Sequence, residues 1–242
     1  MSIVEVNNLF FSYPGREAIL NDISFSVSTG EALVVAGLSG SGKTTLCRIL
    51  CGIIPHAVKG DVSGEVTVAD LDPREAGLPQ TALKAGMVFQ DSDSQIICTT
   101  VEDEIAFALE NLCLPPEEIR LRVEELLAEF GLIELRCENP AKLSGGMKKL
   151  LAIASVLAPA PPVLILDEPM SGLDSEGREL VRSVIEEQRD NGKAVIMVEH
   201  DLSLAAFADK WLLIHEGAVA ACDTPERLME REGMLKELRL MP

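Results

Sequence analysis

The stretch Gly37-Leu38-Ser39-Gly40-Ser41-Gly42-Lys43-Thr44 decides how this chain is read. It fits the pattern G-x-x-x-x-G-K-[ST], and its surroundings fit as well. Residues 32–36 read as an apolar strand entering the turn, and residues 44–51 as a helix leaving it. Glycines let backbone N–H groups turn inward around phosphate oxygens without Cβ obstruction. The helix start adds its positive end. Lys43 is placed to reach β- and γ-phosphates, and the Thr44 hydroxyl to ligate Mg²⁺.

A second acidic element completes such a site. In Val163-Leu164-Ile165-Leu166-Asp167-Glu168, the apolar run reads as a strand of a parallel sheet covered on both faces. Asp167 falls at its carboxyl end, where α/β folds bind ligands, and is expected to hold Mg²⁺ through water. Glu168 follows and points elsewhere, which suits a base that orients water for attack on the γ-phosphate.

Outward from these two elements, strands are expected at 3–6, 23–27, 66–69, 87–89, 194–198, 211–214 and 218–221. Helices are expected at 101–130, 146–157, 180–188 and 203–208. This alternation predicts α/β architecture with a mainly parallel sheet. The block at about 96–158 lacks strands and reads as an inserted helical lobe. It interrupts a core at about 1–95 and 159–225, and a short C-terminal helix at about 224–238 follows. All of it is expected to form one domain over residues 1–242.

The composition excludes several functions. With 21 Lys and Arg against 39 Asp and Glu, the net charge of −18 leaves no domain-wide basic footprint for nucleic acid and no general attraction to anionic lipid. Apolar residues at 47% support a sizeable core and exclude disorder. The six cysteines show no metal-ligand spacing and read as reduced thiols. Residues 1–10 lack the features of a signal peptide. The apolar stretch 150–166 is broken by Pro159, Pro161 and Pro162, so it is a helix and a strand, not a membrane span. The expected compartment is the cytosol.

Leu143-Ser144-Gly145-Gly146 stands before another helix. Ser144 is a good N-cap, and the two glycines expose N–H groups at the helix start, which makes a second anion-binding nest. With this third element the chain resembles an ATP-binding cassette (ABC) ATPase. Gly37–Thr44 looks like the Walker A loop, Leu164–Glu168 like Walker B and Leu143–Gly146 like the ABC signature. Gln90 looks like the Q-loop glutamine, Ser171-Gly172-Leu173-Asp174 like the D-loop, and His200 like the switch histidine. Tyr13 looks like the aromatic that stacks on adenine. Met147 stands where the signature usually has glutamine, and cannot make that amide's hydrogen bonds.

The resemblance implies a P-loop NTPase (RecA-like) core with a mainly parallel sheet, an antiparallel β edge region and an inserted helical lobe. It implies ATP and Mg²⁺ as cofactors, with Thr44, Gln90 and Asp167 at the metal. Glu168, His200 and Gln90 are implied as catalytic residues. Tyr13, Gly37, Ser39, Gly40, Ser41, Gly42, Lys43, Thr44, Thr45, Ser144, Gly145 and Gly146 are implied as nucleotide contacts, with Ser144–Gly146 serving a second subunit's ATP. The expected partners are a second ABC ATPase, identical or paralogous, and integral membrane transport subunits, with no nucleic acid and no lipid insertion. The expected location is the cytoplasmic face of the membrane.

Val88–Gln95 followed by Thr100–Asn111 is similar to the ATPases of energy-coupling factor (ECF) importers, as are Gly52–His56 and Ser63–Val66. That implies an importer of a vitamin or a transition-metal ion. Asp91, Asp93, Glu102, Asp103 and Glu104 carry no basic residue among them and are expected to receive a basic cytoplasmic segment of the membrane subunit. The same motifs also fit a low-turnover nucleotide-binding partner of a paralogous ATPase, or the ATPase of another ABC transporter type.

Overall fold

The computed structural model describes residues 1–240. It comprises two compact units. The first holds Met1–Met87, Pro162–Glu168 and Ile185–Pro242, and the second holds Val88–Pro161 and Pro169–Val184.

The first unit carries two sheets. One is antiparallel with strand order β2-β1-β4, made of β1 (Ser2–Ser12), β2 (Ala18–Ser28) and β4 (Asp61–Val68). Along β1 and β2 buried and exposed residues largely alternate, as a sheet with one covered face requires. The other sheet has six strands in the order β5-β6-β7-β3-β8-β9. These are β3 (Ala32–Ala36), β5 (Ala85–Val88), β6 (Val163–Asp167), β7 (Ala194–Val198), β8 (Lys210–His215) and β9 (Ala218–Asp223). β6, β7, β3 and β8 pair in parallel, and β9 closes the edge antiparallel to β8. Every residue of β3, β6 and β7 is buried, which explains their unbroken apolar runs.

Helix α1 (Lys43–Leu50) follows β3. Three short helices, α2 (Ile53–His56), α3 (Pro73–Ala76) and α4 (Leu78–Ala82), were not expected from the sequence. Each has four or five residues, too few to show a helical period.

The second unit carries α5 (Val101–Asn111), α6 (Pro116–Glu129) and α7 (Gly145–Leu157). Thr100 caps α5 by accepting the Asp103 N–H at 3.2 Å, and Pro116 opens α6 at a position where its missing N–H costs nothing. Where the sequence placed a lobe at about 96–158, this unit starts at Val88 and also takes Pro169–Val184. Helix α8 (Ser175–Asp190) contributes to both units.

The chain ends in two helices, α9 (Pro225–Met229) and α10 (Glu232–Glu237), where the sequence suggested one. They are separated at Arg231, whose ψ of 47° is not helical. Gly233 lies just beyond, and glycine weakens a continuous helix by about 1 kcal/mol relative to alanine.

Candidate nucleotide site

The strand order β6-β7-β3 sets three carboxyl ends side by side in the first unit. From β3 comes the turn Gly37–Gly42, from β6 the pair Asp167-Glu168, and from β7 the segment Glu199-His200. Residues spread over 160 positions of sequence meet because parallel strands align their ends, where open α/β sheets bind ligands.

The turn can only be built from the glycines the motif supplies. Gly40 and Gly42 have φ of 80° and 103°, and Gly42 leads directly into α1. At Gly37 a Cβ would collide with the Ile214 carbonyl oxygen of β8. Lys43 is 5% exposed and its Nζ donates to the Gly37 and Leu38 carbonyls, both at 2.8 Å, so the ammonium lies across the turn. Burial lowers its pKa, against the opposing charges of Glu168 and Asp167. The Ser41 Oγ is buried without a partner, a polar atom ready for an incoming oxygen. Ser39 is exposed at the tip of the turn.

Asp167 is 1% exposed. Burial raises its pKa, and a hydrogen bond from the Thr44 side chain opposes that rise. Its Oδ1 is buried with no hydrogen-bond partner. An orphaned carboxylate oxygen beside a hydroxyl is a hard-oxygen donor set that fits Mg²⁺. Among the described residues no group of three or more His, Cys, Asp or Glu could hold a metal by itself. Mg²⁺ is ordinarily held by one or two protein oxygens together with substrate phosphates.

Glu168 has a positive φ of 52°, and its N–H extends the β6–β7 ladder to the Val198 carbonyl at 3.1 Å. Glu168 Oε1 and His200 Nε2 lie 2.5 Å apart. Glu168 is largely covered while His200 is nearly half exposed, so the pair stands at the mouth of the strand ends. Tyr13 meets Phe11 edge-on at 4.8 Å, and its hydroxyl lies 3.3 Å from the Thr45 Oγ1. That contact joins the aromatic of β1's end to the first turn of α1. His56 and His215 take no part: one ring faces the Pro73 carbonyl and the other lies beside Glu216.

Gln90, Ser144, Gly145 and Gly146 belong to the second unit. Ser144 caps α7, its Oγ accepting the Met147 N–H at 3.3 Å. A cavity of about 680 Å³ opens at this helix start, lined by Ser144, Gly145, Gly146, Met147, Leu173 and Asp174 among others. The signature and D-loop stretches thus share one concave surface, with Met147 41% exposed on it.

Around Gln90 the structure adds residues that sequence reasoning missed. Lys149 donates to the Gln90 carbonyl at 3.0 Å, and Lys148 pairs with Asp93 at 2.6 Å. A lysine pair opening an otherwise apolar helix was the visible signal. The acids after Gln90 are also less free than their sequence implied. Asp91 caps the Asp93 N–H, Glu102 pairs with Arg136 at 2.8 Å, and buried Glu104 accepts the Ile97 and Cys98 N–H groups.

Comparison with known proteins places these features. Residues 20–171 match the family model described as ABC transporter. A putative ABC transporter ATP-binding protein of Methanosarcina mazei is 39% identical over 99% of this chain, which spans 42% of that relative's length. The energy-coupling factor transporter ATP-binding protein EcfA1 of Streptococcus thermophilus is 38% identical, with 98% of this chain and 86% of that protein covered. Among solved structures, cbiO1 of Clostridium perfringens, part of the ABC transporter complex cbiONQ, superposes with a TM-score of 0.84 at 30% identity over 99% of this chain and 95% of its own. A glycine-cradled lysine, an orphaned strand-end carboxylate and a Glu–His pair on a parallel sheet, in a chain with these relatives, have one explanation: the chain belongs to the ABC transporter family, as an ATPase subunit.

Proposed function

We propose that this chain is the ATP-hydrolysing subunit of an energy-coupling-factor importer, driving uptake of a vitamin or transition-metal ion from the cytoplasmic face of the membrane. The observation that carries the chemistry is the meeting of Lys43, Thr44, Asp167, Glu168 and His200 at adjacent strand ends. The importer type is supported by the likeness to EcfA1 and to cbiO1 over nearly the whole chain.

In this reading ATP lies with its phosphates on the turn Gly37–Gly42, held by backbone N–H groups, Ser39, Ser41 and Lys43. Thr45 and Tyr13 serve its nucleoside side. Thr44 and Asp167 would hold Mg²⁺, which when bound would neutralise charge on the phosphates, and the family resemblance gives Gln90 as its further ligand. Glu168 accepts a proton from water as the water oxygen attacks the γ-phosphorus. The bond from that phosphorus to the β,γ-bridging oxygen breaks, and ADP leaves with its electron pair. His200, on Oε1 of Glu168, orients the carboxylate and faces the γ-phosphate. The concave surface at Ser144–Gly146 receives the ATP of a second ATPase subunit.

The partners are that second subunit and integral membrane proteins. No helix among the described residues is long and apolar enough to cross a membrane. Met147 favours one other reading, a slow nucleotide-binding partner of a more active paralogue, because a thioether replaces the amide at the signature. Two measurements on the wild type test these readings. Purified protein should hydrolyse ATP in the presence of Mg²⁺, and detergent extracts should yield it with small integral membrane proteins. Tight ATP binding with negligible turnover would favour the second reading, and recovery without any membrane protein would refute the transport role.

A further inference from the structure

We propose that Lys149 is a positioning residue for Gln90: its ammonium fixes the backbone that aims the Gln90 side chain. The proposal rests on the ATPase reading above, in which Gln90 is a ligand of Mg²⁺.

Lys149 sits in the second turn of α7, 6% exposed, in a helix whose other buried residues are Leu151, Ala152, Ile153, Ala154 and Leu157. Nothing in helix formation asks for a lysine there. Cations are disfavoured near the positive end of a helix dipole, and burying an ammonium is costly unless it is hydrogen-bonded. An apolar residue would serve the core at least as well. What the lysine does supply is a donor to the Gln90 carbonyl, across 59 residues of sequence.

The other side of the same residue is held as well. The Phe89 N–H donates to Gln95 Oε1 at 2.9 Å. The backbone is therefore gripped both before and after the Gln90 Cα. Lys148 reinforces the arrangement by pairing with Asp93 three residues on. All these residues from Phe89 onward lie in the second unit, so the segment carrying Gln90 is fastened to the helix that begins at the signature serine. The signature turn and the glutamine thus form one mechanical body, and a displacement of α7 is passed to Gln90 through ties that include the Lys149 hydrogen bond and the Lys148–Asp93 ion pair.

The test compares Lys149→Met, which removes the donor but keeps an unbranched side chain, with Lys149→Arg, which keeps a donor. Lys149→Met should melt no lower than wild type, yet amide hydrogens of residues 88–97 should exchange faster. Its kcat should fall about tenfold, within the range that misplacement of a reacting group costs. Lys149→Arg should recover most of both. In a Gln90→Ala background, Lys149→Met should cost no further kcat, because residues acting as one unit are not additive.

Unchanged exchange over residues 88–97, additive losses in the double variant, or a Lys149→Met protein that fails to fold would each overturn the proposal. The exchange readout needs no nucleotide. A wild type without turnover whose 88–97 amides still loosen in Lys149→Met would sink the ATPase reading while upholding the tie.

Discussion

The two glycine turns proposed to face phosphate are held in different ways. In the first unit Gly37–Gly42 is fixed by backbone: positive-φ glycines, a strand on one side and a helix on the other, and buried β-strands beneath. In the second unit the start of α7 and the segment after Gln90 are fixed by side chains reaching across long sequence gaps, Lys149 to Gln90 and Lys148 to Asp93. Backbone ladders in a buried sheet are insensitive to salt and to most single substitutions. An ion pair with one exposed member, as between Lys148 and Asp93, is not. The residues proposed for the chemistry therefore sit on the rigid construction. The parts expected to respond to a second subunit sit on the adjustable one.

Substitutions can break that contrast or sharpen it. The largest effect is expected at Glu168. Glu168→Gln keeps size and removes the base, so turnover should fall by about a hundredfold or more while ATP still binds. Slow turnover should also hold an ATP-dependent dimer, visible as an earlier peak in gel filtration. Wild-type turnover in this variant would remove Glu168 from the mechanism.

Next in size is Lys43→Ala. Losing a charged donor to the phosphates should weaken ATP by about 10- to 100-fold. Thermal stability should change little, because the ammonium's partners are the Gly37 and Leu38 carbonyls of the turn itself. Isothermal titration with a parallel melt decides it. Undiminished ATP binding in a folded variant would mean that the phosphates lie elsewhere.

The smallest effect belongs to the second unit. Asp93 is exposed and Lys148 mostly covered, so Asp93→Asn should lower Tm by only about 1–4 °C at low salt. The difference should close as salt is added, because screening has already weakened the pair in wild type. A Tm loss that persists in high salt would show that this tie is not a surface ion pair, and would erase the distinction drawn between the two turns.

Much of the first turn was legible in sequence. A glycine pattern reports a backbone need that only glycine meets, and Lys43 and Thr44 are placed by it. An unbroken apolar run ending in Asp167-Glu168 reports a strand buried on both faces with acids at its mouth. The C-terminal segment was less legible. Proline at position 225 announces a helix start, but nothing in the local pattern shows that the chain breaks at Arg231 and starts again. The acids after Gln90 looked like an open docking surface because sequence shows no cation among them. Lys148 and Arg136, 55 and 34 residues from Asp93 and Glu102, change that reading.

By itself the sequence determined which residue types are suited to phosphate chemistry and that a parallel sheet presents them, since glycine conformation and apolar periodicity are local properties. Only the tertiary structure decided who meets whom: Glu168 with His200, Thr44 with Asp167, Lys149 with Gln90. The physical reason is strand and helix pairing. Setting β7 between β6 and β3 aligns ends far apart in the chain, and packing α7 against the segment after β5 brings a buried ammonium to the Gln90 carbonyl. Neither partner is encoded near the residue that needs it.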